Sequence, residues 1–248
     1  MRVPLIAANW KMHKTTEETR QFLIEFLPHV SSVSDVEVVI APPFTSLAVA
    51  AKFLKGSSVK LAAQNVFWES SGAYTGEISP VMLKDCECSY VIIGHSERRQ
   101  YFGETNETVN KKISACQKEG LGVIMCVGET LEQREKGLTF NVLEEQITEG
   151  LKDLPSQGLV IAYEPVWAIG TGKTATKEQA QEAHEFIRGL LRKLYGTEAE
   201  SIRILYGGSV KPENISELMA QPDVDGALVG GASLKVESFV KIVKFKEN

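Results

Sequence analysis

Hydrophobic and polar positions follow two periods along this chain. Short runs of Val, Ile, Leu and Ala with little polar interruption occupy 5–10, 36–41, 59–64, 90–94, 121–127, 159–163, 202–206 and 226–230. Such runs predict strands buried on both faces, and strands of that kind are usually parallel. Segments on the helical period lie between them. In 16–30, Phe22, Leu23, Phe26 and Leu27 recur at three-and-four spacing, as do Ala183, Phe186, Ile187, Leu190, Leu191 and Leu194 in 178–195. The same period fits 105–119, 139–151 and 236–245.

Each of the eight runs is followed by a loop and a helical segment, with no hairpin signal anywhere. The runs recur at intervals close to a repeating unit, which suits a ring better than an open, doubly wound sheet. The pattern predicts an α/β chain folded as one (β/α)8 barrel over residues 1–248, since no linker or low-complexity stretch divides it. In that architecture the chemistry gathers at the C-terminal ends of the strands.

Composition narrows the function. The chain has 248 residues, 43% hydrophobic and 24% charged, enough to bury a core without staples. With 27 Lys+Arg against 32 Asp+Glu the net charge is −5, which argues against a nucleic-acid or anionic-membrane surface and leaves room for a small anionic ligand. The four cysteines, Cys86, Cys88, Cys116 and Cys126, make neither a disulfide framework nor a zinc knuckle, and read as reduced thiols. The first apolar run is broken by Pro4 and stops at Asn9, too short for a signal core, and no stretch has the length of a membrane span. The sequons at Asn106 and Asn214 are silent without secretion. The four histidines are scattered and indicate no metal site.

The strand ends carry the candidate chemistry. The first run ends in Asn9-Trp10-Lys11, where Lys11 by itself could be an ordinary solvated lysine. The third ends in Gln64-Asn65 and leads into a Gly-containing loop. The fourth ends in Gly94-His95-Ser96-Glu97-Arg98-Arg99, a polar cluster at the end of a buried run. A structural histidine is the plain alternative for His95, weakened by its place at a strand end. The sixth ends in Tyr163-Glu164-Pro165. A carboxylate directly after a buried strand is either a helix-starting surface acid or a general base; Pro165 holds Glu164 away from helical angles, and the next helix starts near Thr176, which argues against an N-cap. The stretch from Val166 to Ala175 is too apolar for permanent exposure and reads as a lid that buries its own Trp167 and Ile169 when closed, with Gly170 and Gly172 as pivots. Gly207-Gly208-Ser209 and Gly230-Gly231 follow the last two strands, where backbone N–H groups of barrel loops often hold phosphate. Gly172-Lys173-Thr174 lacks the first glycine of a phosphate-binding P-loop, and the Gly170-x-Gly172 pair does not open a helix directly.

Taken together, Asn9-Trp10-Lys11, Gly94-His95-Ser96-Glu97-Arg98, Ala162-Tyr163-Glu164-Pro165-Val166-Trp167-Ala168-Ile169-Gly170-Thr171-Gly172, Tyr206-Gly207-Gly208-Ser209 and Gly230-Gly231 resemble the triosephosphate isomerase family. The resemblance runs in family order from Asn9 to Phe239. It implies a TIM barrel that interconverts dihydroxyacetone phosphate and D-glyceraldehyde 3-phosphate in glycolysis and gluconeogenesis, without a cofactor or metal. It makes Glu164 the base, His95 the electrophile, Lys11 the cation and Asn9 the neighbour that completes the site around Lys11. Backbone at Gly170, Ser209, Gly230 and Gly231 resembles the phosphate grip, and Ser96, Glu97 and Cys126 resemble supporting residues. The loop Gly72–Glu77, with Thr75 at its tip, resembles one that reaches into a partner subunit, so a cytosolic homodimer is implied. His95 is implied to work as a neutral imidazole.

Two other classes stay open on the residues themselves. One is a barrel aldolase using Lys11 as a Schiff-base nucleophile, which would not need Glu164 or an apolar lid. The other is a non-catalytic binder on the same fold, which would not need Lys11, His95 and Glu164 together.

Overall fold

The computed structural model describes residues 2–168 and 174–247. Every expected strand forms: β1 Leu5–Asn9, β2 Glu37–Ala41, β3 Lys60–Ala63, β4 Tyr90–Ile93, β5 Gly122–Val127, β6 Leu159–Tyr163, β7 Arg203–Tyr206 and β8 Gly226–Val229. They pair in chain order, all parallel, and β8 pairs with β1 to close the barrel.

The two-residue period of a strand explains why these runs are apolar throughout. Leu5 and Ala7 face the barrel interior with Val39, Ile92, Ile124 and Leu228. Their neighbours Ile6 and Ala8 face outward and pack under the helices with Val38, Ile40 and Val91. Both faces are therefore dry, and the sheet needs a helical layer outside it.

That layer comprises α1 Thr16–Val30, α2 Leu47–Leu54, α3 Pro80–Asp85, α4 Ser96–Phe102, α5 Asn106–Lys118, α6 Leu131–Glu135, α7 Thr139–Gly150, α8 Lys177–Tyr195, α9 Ile215–Met219 and α10 Val236–Val243. The five long periodic segments fall within about two residues of their expected bounds. Three of their starts are set by side-chain caps, reciprocal capping boxes at Thr15 with Glu18, Thr105 with Thr108 and Thr176 with Gln179. The helices that the pattern did not locate are short, or lack a polar stripe. α2 reads LAVAAKFL, and α3, α4, α6 and α9 have five to seven residues each, too few to display a period.

The two mouths of the barrel differ. At the N-terminal mouth Tyr90 Oη donates to Glu37 Oε1 at 3.0 Å, Arg203 donates to Tyr90 Oη at 2.9 Å, and Arg203 also pairs with Glu37. This network links β2, β4 and β7 across the floor of the barrel, so the opposite rim is the one open to chemistry.

Closure depends on one glycine. A Cβ on Gly226 would stand 1.9 Å from the carbonyl oxygen of Leu5, at φ +154°. Gly226→Ala is expected to destabilise the fold by at least about 2 kcal/mol, because the obstacle is strand backbone that cannot move aside. Urea unfolding measures it; a midpoint equal to that of the parent chain would contradict this account of closure.

Candidate active site

The open rim brings together residues far apart in sequence. Asn9, Lys11, His95, Glu97, Glu164, Ser209, Gly230 and Gly231 line one cleft. Each stands where its strand gives way to a loop, so parallel strands in a ring aim them all at the same space.

Glu164 follows β6 directly and is 2% exposed. Its carboxylate accepts the backbone N–H of Ser96 at 2.9 Å and the Ser96 hydroxyl at 3.4 Å, and its other contact is His95 Nε2 at 2.9 Å. Burial acts to raise the Glu164 carboxyl, but His95, the Ser96 N–H and Lys11 together outweigh it and hold the group below the usual carboxylate range. Cys126, fully buried in β5, lies against this carboxylate; burial first, and then Glu164, push its thiol well above the ordinary range. It presents a neutral S–H, not a thiolate.

His95 is the N-cap of α4, and its Nδ1 accepts the Glu97 N–H at 3.2 Å. That donor occupies the Nδ1 lone pair and assigns the ring proton to Nε2, facing Glu164. Burial works against a charged ring, but Glu164 and then Glu97 outweigh it, so the proton affinity of the ring is raised, not lowered. The neutral imidazole implied by the sequence thus has the tautomer geometry in its favour and the adjacent carboxylate against it. The larger part of the upward push comes from the Glu164 charge at 2.9 Å, and the rest from Glu97.

Lys11 Nζ donates to Glu97 Oε1 at 2.6 Å, which ties the cation to the loop that carries His95. The Lys11 backbone is left-handed, at φ +52°, a conformation that β-carbon residues rarely adopt. Two amides hold it there. Asn9 Oδ1 accepts the Lys11 N–H at 3.1 Å, and Gln64 Nε2 donates to the Lys11 carbonyl at 2.9 Å and to Ala41 at 2.8 Å. Sequence reading marked Gln64 only as a strand end; its role depends on contacts across two loops that no local spacing reports.

The glycine pairs divide in function. A Cβ on Gly207 would stand 2.9 Å from Glu164 Cγ, and one on Gly208 would stand 2.3 Å from Tyr206 Oη, so both serve close packing. Around Gly231 a Cβ would meet nothing, and Gly230 lies beside the Lys11 side chain. Gly231 opens a single turn, Gly231–Leu234, fixed by Ser233 donating to the Gly230 carbonyl.

Glu129 is a further residue that the sequence reading missed. It is fully buried and accepts hydrogen bonds from Tyr163 Oη at 3.1 Å, Trp167 Nε1 at 2.8 Å and Arg134 at 3.1 Å. It thereby anchors the first turn of the segment read as a lid. Gly170 and the remainder of that lid, Ile169–Lys173, lie outside the described residues. Thr75 stands apart from the cleft, exposed on the Gly72–Glu77 loop, which is braced by Phe67 packing on Tyr74 at 4.6 Å. All four cysteines are free thiols. Among the described residues no helix is long and apolar enough to cross a membrane.

The family model of triosephosphate isomerase matches residues 4–246. The chain is 60% identical to a triosephosphate isomerase of Geotalea uraniireducens, each chain covered in full. It is 60% identical to that of Trichlorobacter lovleyi, over 99% of this chain and 100% of the relative. It is 58% identical to that of Moorella thermoacetica, again over the whole of both. With the closed barrel and the cleft at its rim, these matches place the chain in the triosephosphate isomerase family.

Proposed function

We propose that this cleft isomerises dihydroxyacetone phosphate and D-glyceraldehyde 3-phosphate, with Glu164 as the base, His95 as the hydrogen-bond donor and Lys11 as the fixed cation. The observation that carries the residue assignment is the convergence of a carboxylate, an imidazole Nε2 and an ammonium group in one cleft beside two glycine-containing loops. The reaction moves one proton between C1 and C2 through an enediolate. One carboxylate reaches both carbons, an imidazole N–H serves both oxygens in turn, and a cation opposes the developing oxyanion.

The Glu164 oxygens are held by Ser96 and His95. To meet a carbon acid the carboxylate exchanges these bonds for the substrate. Losing donors that favour the charged form raises its proton affinity, so Glu164 becomes a stronger base on moving. The same movement removes the charge that raises His95, leaving the ring neutral as the acid partner. The Glu97 N–H on Nδ1 favours that form. A neutral histidine electrophile suits this reaction, because an imidazole N–H polarises the carbonyl without a net charge to neutralise.

Backbone of Gly170, Ser209, Gly230 and Gly231 grips the substrate phosphate in this reading, and binding energy there holds the lid over the reacting carbons. The aldolase alternative fits less well. Lys11 Nζ donates to the Glu97 carboxylate at 2.6 Å, whereas a Schiff-base nucleophile needs a free amine lone pair. The working form we propose is a cytosolic homodimer acting in glycolysis and gluconeogenesis. Thr75 of one protomer meets the partner's Asn9 and Lys11. Tyr74 on this loop, Met82 on α3 and Tyr101 and Phe102 on α4 are exposed apolar side chains, which favours a covered face.

A coupled assay with D-glyceraldehyde 3-phosphate tests the activity itself; no turnover would remove the proposal. Glu164→Gln is expected to lower kcat by roughly 10²–10⁴ with little change in KM, because shape survives and basicity does not. Near-parental turnover in that variant would acquit Glu164. For His95, nitrogen NMR of the complex with a phosphate-bearing enediolate mimic is expected to show a neutral ring at pH 7; an imidazolium there rules out the acid role. Replacing Gly72–Glu77 by a short polar turn is expected to give monomers by light scattering, with activity well below the parent. A fully active monomer would separate assembly from catalysis.

A further inference from the structure

Segment Val127–Glu129 grips the base-bearing strand end at three points. Glu164 N–H donates to the Val127 carbonyl at 2.7 Å, Val166 N–H donates to the Glu129 carbonyl at 3.1 Å, and the Glu129 carboxylate accepts Trp167 Nε1 at 2.8 Å. Between the two carbonyls stands Gly128, packed so closely that a Cβ there would fall 1.7 Å from the Glu164 carbonyl oxygen. The polar groups of Gly128 itself take no part in that grip. Both are held by one side chain from the outer helical layer: Gln146 of α7 accepts the Gly128 N–H at 2.8 Å and donates to the Gly128 carbonyl at 3.2 Å.

We propose that Gln146 is a positioning residue for the reaction, fixing through Gly128 the backbone pivot on which the Glu164 carboxylate moves. This rests on the reading of Glu164 as the base. A carboxylate that leaves Ser96 for a carbon needs a stationary Cα, and the paired amide bonds remove the freedom of the turn to shift or rotate. Gln146 does not touch substrate. It lines a cavity behind the cleft, together with Gly128, Glu164 and Trp167. Because that cavity is open, water can satisfy the Gly128 N–H and carbonyl when the side chain is absent. Removing Gln146 therefore costs little in unsatisfied polar groups, and its effect falls on geometry rather than on folding.

The test compares Gln146→Leu, which loses both bonds, with Gln146→Glu, which keeps only the acceptor for the Gly128 N–H. Full kinetics with D-glyceraldehyde 3-phosphate, inhibition by inorganic phosphate and urea midpoints are measured on each. The expected order in kcat is parent, then Gln146→Glu, then Gln146→Leu, the last lower by roughly tenfold or more. KM and phosphate inhibition stay within about twofold of the parent, since neither bond touches the phosphate loops. A kcat within twofold of the parent in Gln146→Leu overturns the proposal, as does a loss of kcat matched by an equal loss of phosphate affinity. Should Gln146→Leu fail to fold, Gln146→Glu decides: unchanged kcat overturns the proposal, and a loss of threefold or more at constant KM upholds it. The assignment of Glu164 is judged apart from this, by Glu164→Gln. Loss of turnover there with full activity in Gln146→Leu would leave the base in place and remove only the positioning role.

Discussion

The backbone at Glu164 is wedged between two turns that tolerate no side chain. On one side a Cβ at Gly128 would overlap the Glu164 carbonyl oxygen at 1.7 Å; on the other a Cβ at Gly207 would press on Glu164 Cγ at 2.9 Å. The parallel ladder continues one residue past β6 on both sides, through the Glu164 N–H to Val127 and the Gly207 N–H to the Tyr163 carbonyl, each at 2.7 Å. The position of the carboxylate is therefore a consequence of strand register, Val127 opposite Tyr163 and Tyr163 opposite Tyr206, more than of any contact made by the carboxylate itself. Side-chain freedom begins only at Cβ, which leaves a short and well-defined arc of motion.

Within that arc the charge is placed at a cost. A carboxylate at 2% exposure loses most of its hydration. The loss is offset by donors drawn from another strand end: the Ser96 N–H, the His95 Nε2–H and, at longer range, Lys11. The cleft thus holds Glu164 as an ion despite its burial. Glu97 couples the parts, because one residue supplies the N–H to His95 and the carboxylate to Lys11.

Glu129 extends this design outward. Its buried carboxylate gathers Tyr163 from β6, Trp167 from the base of the following segment, and Arg134 from α6. Arg134 also stacks on the Trp167 ring at 4.5 Å. The strand end that carries Glu164 and the Trp167 turn that follows it are consequently anchored to the same turn after β5.

The barrel was legible in the order of residues alone. Eight two-faced apolar runs separated by helical periods leave a chain few ways to hide every strand, and strand periodicity acts over neighbours that the sequence displays directly. The positions of Lys11, His95 and Glu164 were legible for the same reason: each is a charged or polar residue at the end of a buried run, and parallel closure sends all such ends to one rim. The short helices α3, α4, α6 and α9 were not, because five to seven residues are too few to show a period. Nor were the tasks of Gln64, Glu129 and Gln146. Gln64 serves Lys11 across 53 positions, Glu129 serves Trp167 across 38, and Gln146 serves Gly128 across 18. A side-chain amide or carboxylate carries no signal of which distant backbone it will meet. The sequence by itself determined the strands, the barrel and the chemical groups at its rim; only the tertiary structure decided their pairing and the left-handed turn at Lys11, because hydrogen bonds between distant loops are fixed by packing and not by spacing.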